Sequence, residues 1–129
     1  MSVQIRLESG TRVVRCSPQG DVSFDEMANA SLRISQKYGH VRPLRILVDV
    51  RFVQVHMSAD DNKRFAQFVA QLPGYGSAKI VVLHPLSHNP MSATDRVSRE
   101  GGLSICQCVS EGEAYAWLAA ESSTLNASH

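Results

Sequence analysis

The sequence predicts an α/β domain with a mixed, mainly parallel sheet, helical crossovers and an N-terminal antiparallel hairpin, in the order β-β-α-β-α-β-α-β-α. Two runs carry most of that expectation: Arg45-Ile46-Leu47-Val48-Asp49-Val50 and Lys79-Ile80-Val81-Val82-Leu83. Both are short, rich in β-branched residues and almost unbroken in apolar character, which is how strands covered on both faces read. Such strands are typically parallel and central. The third observation is the segment between them, which has helical spacing and is long enough for the crossover that a parallel pair requires.

Taken in order, residues 3–7 and 11–16 alternate polar and apolar side chains, and Ser9-Gly10 between them reads as a hairpin turn. Gly20-Asp21 breaks the pattern. Ser23-Phe24-Asp25-Glu26 sets a hydroxyl three residues before a carboxylate, a pairing that satisfies the free N–H groups at a helix start. That helix should run to about Tyr38 and stop at Gly39, with Met27, Ile34 and Tyr38 on one side. Ser58-Ala59-Asp60-Asp61 repeats the arrangement. It opens a helix whose Phe65, Phe68, Val69 and Leu72 follow i, i+3, i+4, i+7 spacing, ended by Pro73-Gly74. After His84-Pro85 the chain is weakly patterned, with residues 92–95 a third capping candidate and Gly101-Gly102 its stop. Ile105-Cys106-Gln107-Cys108-Val109 is the last strand, and residues 110–113 cap a closing helix carrying Ala114, Trp117 and Leu118 on its apolar face.

The chain's 129 residues suit one domain, residues 1–121, with the small polar residues 122–129 a flexible tail. Hydrophobic residues at 43% and charged ones at 19% exclude wholesale disorder. The formal net charge is +1, and Arg42, Arg45, Arg96 and Arg99 form no stripe with aromatics, so nucleic acid is not an expected partner. No apolar run approaches the ~20 residues that span a bilayer, so the chain does not read as an integral membrane protein. The opening residues lack the apolar core of a signal peptide, and Cys16, Cys106 and Cys108 make an odd, unpaired set. A reducing cytoplasm is the expected setting. Twofold homodimerisation is the base-rate expectation for self-association.

Four pieces spanning about the whole chain carry a family resemblance. They are Gly20-Asp21-Val22-Ser23 before the first helix, Ile46-Leu47-Val48-Asp49-Val50-Arg51, Ala78-Lys79-Ile80-Val81-Val82-Leu83, and the closing Glu113-Ala114-Tyr115-Ala116-Trp117-Leu118. In these pieces and their order the chain resembles the SpoIIAA-like family of small bacterial proteins. That family sits in the broader group of STAS (anti-sigma-factor antagonist) and Sec14-like (CRAL-TRIO) domains. The resemblance implies a non-enzymatic module. On the STAS side it implies a regulatory protein–protein interaction domain, some members being switched by phosphorylation of a serine that here falls near Ser58. The phosphoacceptor motif resembles Asp-Ser-x-Gly, whereas this chain has Met57-Ser58-Ala59-Asp60, lacking both the Asp and the Gly. On the Sec14-like side it implies a lipid or other apolar molecule held beneath mobile helices.

Read as chemistry, most candidate residues have plainer structural roles. Ser58 is first a helix cap. Asp49 and Arg51 end a central strand, at the sheet edge where ligands collect, and a carboxylate there also holds loops. His84 and His88 with Cys106 and Cys108 make a poor zinc set, because cysteines one residue apart on a strand lack the usual turn spacing. Gly74-Tyr75-Gly76-Ser77-Ala78-Lys79 ends a helix and precedes a strand, the reverse of a phosphate loop. Ser58, His84 and Asp49 could meet at one sheet edge as a small hydrolase would need, but so could many such trios in an α/β fold, and no nucleophile-elbow motif accompanies them. No enzyme activity, metal or cofactor is expected. The connection Phe52-Val53-Gln54-Val55-His56-Met57 is unusually apolar and lies beside an aromatic helix. The leading expectation is therefore a site for a lipid or small apolar ligand, lined by Phe52, Val55, Met57, Phe65 and Phe68. A partner or switch surface at Asp49, Arg51, Ser58 and His84 is the alternative.

Overall fold

The computed structural model describes residues 2–120; the tail expected over residues 122–129 lies outside the described residues. The strands are β1 (Ser2–Leu7), β2 (Val14–Ser23), β3 (Arg45–Asp49), β4 (Val53–His56), β5 (Lys79–Leu83) and β6 (Ser104–Cys108). The helices are α1 (Phe24–Tyr38), α2 (Ala59–Ala70), α3 (Ser92–Glu100) and α4 (Glu111–Ala119), with a short 3-10 turn at Tyr75–Ser77. β1 pairs antiparallel with β2, and the remaining pairings are parallel, in the order β1-β2-β3-β5-β6 with β4 beside the far half of β2. The α/β class, parallel centre and N-terminal hairpin are those the sequence predicts.

Two local expectations are corrected around β2. Gly20-Asp21 does not end the strand: β2 runs on to Ser23, and the apolar connection after Phe52 is itself a strand, β4. Val14 to Cys16 pair with Ile46 to Val48, whereas Gly20 to Ser23 pair with Val53 to His56, so the register advances by one residue between the two halves. Gly20, at φ 84°, takes a left-handed backbone where the partner of β2 changes from β3 to β4, and its N–H donates to Phe52 O at 3.0 Å. Pro18 lies in the gap, one of the few places a central strand tolerates proline.

β3 and β5 are covered on both faces, and their residues divide between two cores by simple alternation. Leu47, Val81 and Leu83 meet Ala114 and Leu118 of α4. Ile46, Ile80 and Val82 face the opposite way, into the core built with Met27 and Ile34 of α1 and Phe65 and Val69 of α2. α4 is tied down at both ends. Glu111 accepts from Arg15 of β2 at 2.6 Å, and Lys79 of β5 donates to the carbonyls of Trp117 and Ala120 at the end of α4, at 2.6 and 2.9 Å.

Two of the four predicted caps form with the serine hydroxyl as acceptor. Ser58 Oγ accepts from the Asp61 N–H and Ser110 Oγ from the Glu113 N–H, both at 3.1 Å. At α1 the Ser23 N–H donates to Glu26 at 2.8 Å. The further candidate at residues 92–95 is a correction: Met91 occupies the cap position, Ser92 is already helical, and Asp95 turns inward.

The end of α1 meets the end of α2 backbone to backbone. Ser35 donates to Pro73 O at 2.7 Å, and a Cβ on Gly74, at φ 95°, would lie 2.7 Å from Gly39 O. Gly74→Ala should therefore cost at least about 1–3 kcal/mol from backbone conformation alone. In urea unfolding this appears as a lower midpoint at unchanged slope.

Candidate functional site

Between the sheet and α1, α2 and α3 lies a cavity of ≈ 60 Å³. Ile46, Val48, Ile80 and Val82 form its floor, and Met27, Ile34, Phe65 and Val69 its apolar walls. The α3 side differs. It contributes Thr94, Asp95 and Ser98, each about 3% exposed. Residues i, i+1 and i+4 of a short helix thus present a polar stripe to an otherwise apolar interior.

Asp95 is the chemically distinctive group. Its Oδ2 accepts from Gln107 Nε2 of β6 at 2.9 Å and from Asn89 Nδ2 at 3.4 Å. No cation forms an ion pair with it among the described residues. Burial pushes its carboxyl up to about 6, and the amide hydrogen bonds and the more distant charges of Arg99 and His84 offset only part of that. Thr94 is held by a hydroxyl donation to Asn62 Oδ1 of α2. Burial also pushes the Cys16 thiol, on the cavity wall, up to about 12.

A second polar cluster lies on the opposite face, under α4. Asp49 is buried and accepts from Arg51 Nε at 3.0 Å, Arg51 Nη2 at 2.8 Å and Arg15 Nη2 at 2.9 Å. Burial alone would raise its carboxyl; the Arg51 hydrogen bonds and the two guanidinium charges outweigh it and hold it below the usual carboxylate range. Arg15 also donates to Tyr115 OH at 3.1 Å, which donates onward to Glu8 at 2.7 Å. Every charge here already has a partner, which suits a clamp between sheet and α4.

The residues singled out from the sequence fall in different places. Phe65 lines the cavity. Val55 and Phe68 pack on the margin of the same core, Met57 is half-buried, and Phe52 is 64% exposed with Arg51 over its ring. Asp49 and Arg51 join each other but not Ser58, whose hydroxyl is engaged in its cap. His84 Nδ1 lies 2.8 Å from Pro85 O, its carbonyl acceptor. Cys106 and Cys108 share the α4 face, their sulfurs 3.9 Å apart. Among the described residues no group of three or more His, Cys, Asp or Glu is placed to hold a metal, and no helix is long and apolar enough to cross a membrane. Asp95 was the residue that spacing rules missed. Apolar spacing does not point to it, since the inward positions of α3 are the polar Thr94, Asp95 and Ser98.

The mixed sheet, its N-terminal hairpin and the helices on both faces define an α/β domain with a SpoIIAA-like fold. Among solved structures the chain is similar to an uncharacterised protein of the DUF3478 family with a SpoIIAA-like fold, from Shewanella loihica PV-4. The TM-score is 0.59 at 13% identity, over 92% of this chain and 93% of that one, so the likeness is one of fold. No protein-family model matches the chain, and no curated protein is significantly similar to it.

The Asp95 carboxyl makes a signed prediction. Folded, it keeps its proton up to about pH 6; unfolded, it does so only to its ordinary 3.8. The stability tied to that proton is complete below the lower value and lost as pH rises through the upper one. At about 1.4 kcal/mol per pH unit the loss is about 3 kcal/mol. Asp95→Asn, which keeps an acceptor for Gln107, should raise the urea midpoint at mildly alkaline pH, and the gain should vanish near pH 4. Urea melts of both proteins across that range measure it.

Proposed function

We propose that this domain is a non-catalytic binding module that takes a small apolar ligand into the cavity between the sheet and helices α1, α2 and α3. The observation that carries this reading is the cavity's make-up: an apolar interior left open where a helix contributes polar rather than space-filling side chains. At ≈ 60 Å³ it is smaller than the roughly 150 Å³ that accommodates benzene in an engineered core, so a ligand must spread the walls. The arrangement of the helices suits that. α2 and α3 pack mainly on each other, whereas α4 sits close against β5 and β6. The non-catalytic part draws support from Ser58, His84 and Asp49, each engaged with a different local partner rather than with one another. Three free cysteines favour a reducing, cytoplasmic setting.

A second reading, docking of a partner protein, rests on Phe52 and Leu86, which are 64% and 86% exposed near the carboxyl edge of the sheet.

Native mass spectrometry of gently purified protein, followed by extraction, should reveal a small apolar adduct that Ala30→Leu, filling the cavity from α1, abolishes. Phe65→Ala should cost about 3–5 kcal/mol and create space, so that benzene restores part of the lost melting temperature. A clean apo mass, with no benzene effect on either wild type or Phe65→Ala, would falsify the reading.

A further inference from the structure

The cavity's polar side carries more information than its volume. Asp95 lines it at 3% exposure, and both of its amide donors reach the same oxygen, Oδ2. Among the described residues Oδ1 has no hydrogen-bond partner, nor has the Ser98 hydroxyl three residues further along the same face of α3. The two groups are unengaged acceptors at one wall.

The remaining walls offer them nothing. None of the cavity-lining residues is a Lys, Arg or His, and none is a second carboxylate. Cys16 stays a neutral thiol, and the Tyr75 hydroxyl donates to Ser31 O at 3.2 Å. The charged groups that act on Asp95 from neighbouring elements are His84, at the end of β5, and Arg99, on its own helix. β6 contributes the neutral Gln107, and α2 the neutral Asn62 through Thr94, while Lys63 of α2 lines a separate outer groove with Glu100. With its carboxyl titrating at about 6, Asp95 is mostly ionised near neutral pH and so places an unpaired negative charge against apolar walls. That is a costly arrangement unless a cation completes it.

Resting on the ligand-binding reading above, we infer that the cavity takes a small apolar primary amine, its ammonium held by Asp95 Oδ1 and Ser98 Oγ and its hydrocarbon part lying against Phe65, Val69 and Met91. An ammonium has three donors and no acceptor, which matches a wall of acceptors. The hydrocarbon part is short, because the cavity exceeds a single water site by only a few-fold. Met27 and Met91, unbranched and adaptable, are the side chains that yield as it enters.

The test compares isobutylamine with isobutanol, a neutral molecule of nearly the same shape, by calorimetry and thermal shift at mildly alkaline pH. Isobutylamine should bind more tightly by at least about tenfold. Asp95→Asn should remove that advantage while leaving isobutanol binding in place, and Ser98→Ala should weaken the amine alone. Near pH 6, amine binding should also release protons, seen as a dependence of the heat on buffer ionisation. Urea melts establish that each variant folds. If isobutanol binds as well as the amine, or Asp95→Asn takes up the amine unchanged, the inference is overturned and the ligand-binding reading stands. If neither probe binds wild type or the enlarged Phe65→Ala cavity, both fall together.

Discussion

The structure depends on one constraint: β3 and β5 are apolar on both faces, so the chain must cover the sheet twice. All five residues of β5 are buried. Covering the first face takes little. Ala114 and Leu118 bring α4 close against Leu47, Val81 and Leu83, and polar ties from Arg15 and Lys79 hold its two ends. The second face is wider and takes three helices, of which α1 and α2 supply large apolar side chains. α3 supplies Thr94, Asp95 and Ser98. A core completed by short polar groups does not close to ordinary density, and the cavity is the result.

Two buried carboxylates show how environment, rather than residue type, sets the outcome. Asp49 and Asp95 are 4% and 3% exposed. Asp49 sits between two guanidinium groups and is held ionised, so its contribution is present above its ordinary range and lost as acid protonates it. Asp95 has amide donors and no paired cation, so burial prevails and raises its carboxyl to about 6. The first behaves as a fastening between β3 and its neighbours. The second is an incomplete site, and perturbed carboxyls beside cavities are where binding chemistry concentrates.

Much of this fold is legible in the sequence because the relevant signals are local. The β-branched runs gave β3 and β5, and Ser58 and Ser110 cap the helices their spacing announces. What the sequence hid depends on distant partners. Gly20 looks like a turn, but β4 pairs with the residues beyond it and keeps them in the sheet. Lys79 looks out of place in a buried strand until α4 brings its carbonyl ends within 2.6 Å. The apolar residues from Phe52 to Met57 suggested a lining, yet Val53 packs into the core, Val55 lies on its margin and Phe52 is turned to solvent. Of the predicted lining residues Phe52, Val55, Met57, Phe65 and Phe68, Phe65 alone reaches the cavity. Asp95 was read as part of a cap because Ser92 stands three residues before it; Gln107 of β6 draws it inward instead.

The central claim is that α3 buries an ionisable carboxyl, without a paired cation, against an apolar cavity. Carbon-13 NMR of the Asp95 carboxyl, followed through the acid and neutral range, measures that directly. A titration midpoint near 6 is the expected result, with the Asp49 signal remaining ionised well into acid. An Asp95 midpoint at the ordinary value of 3.8 would mean the carboxyl is hydrated or paired, and would contradict the account.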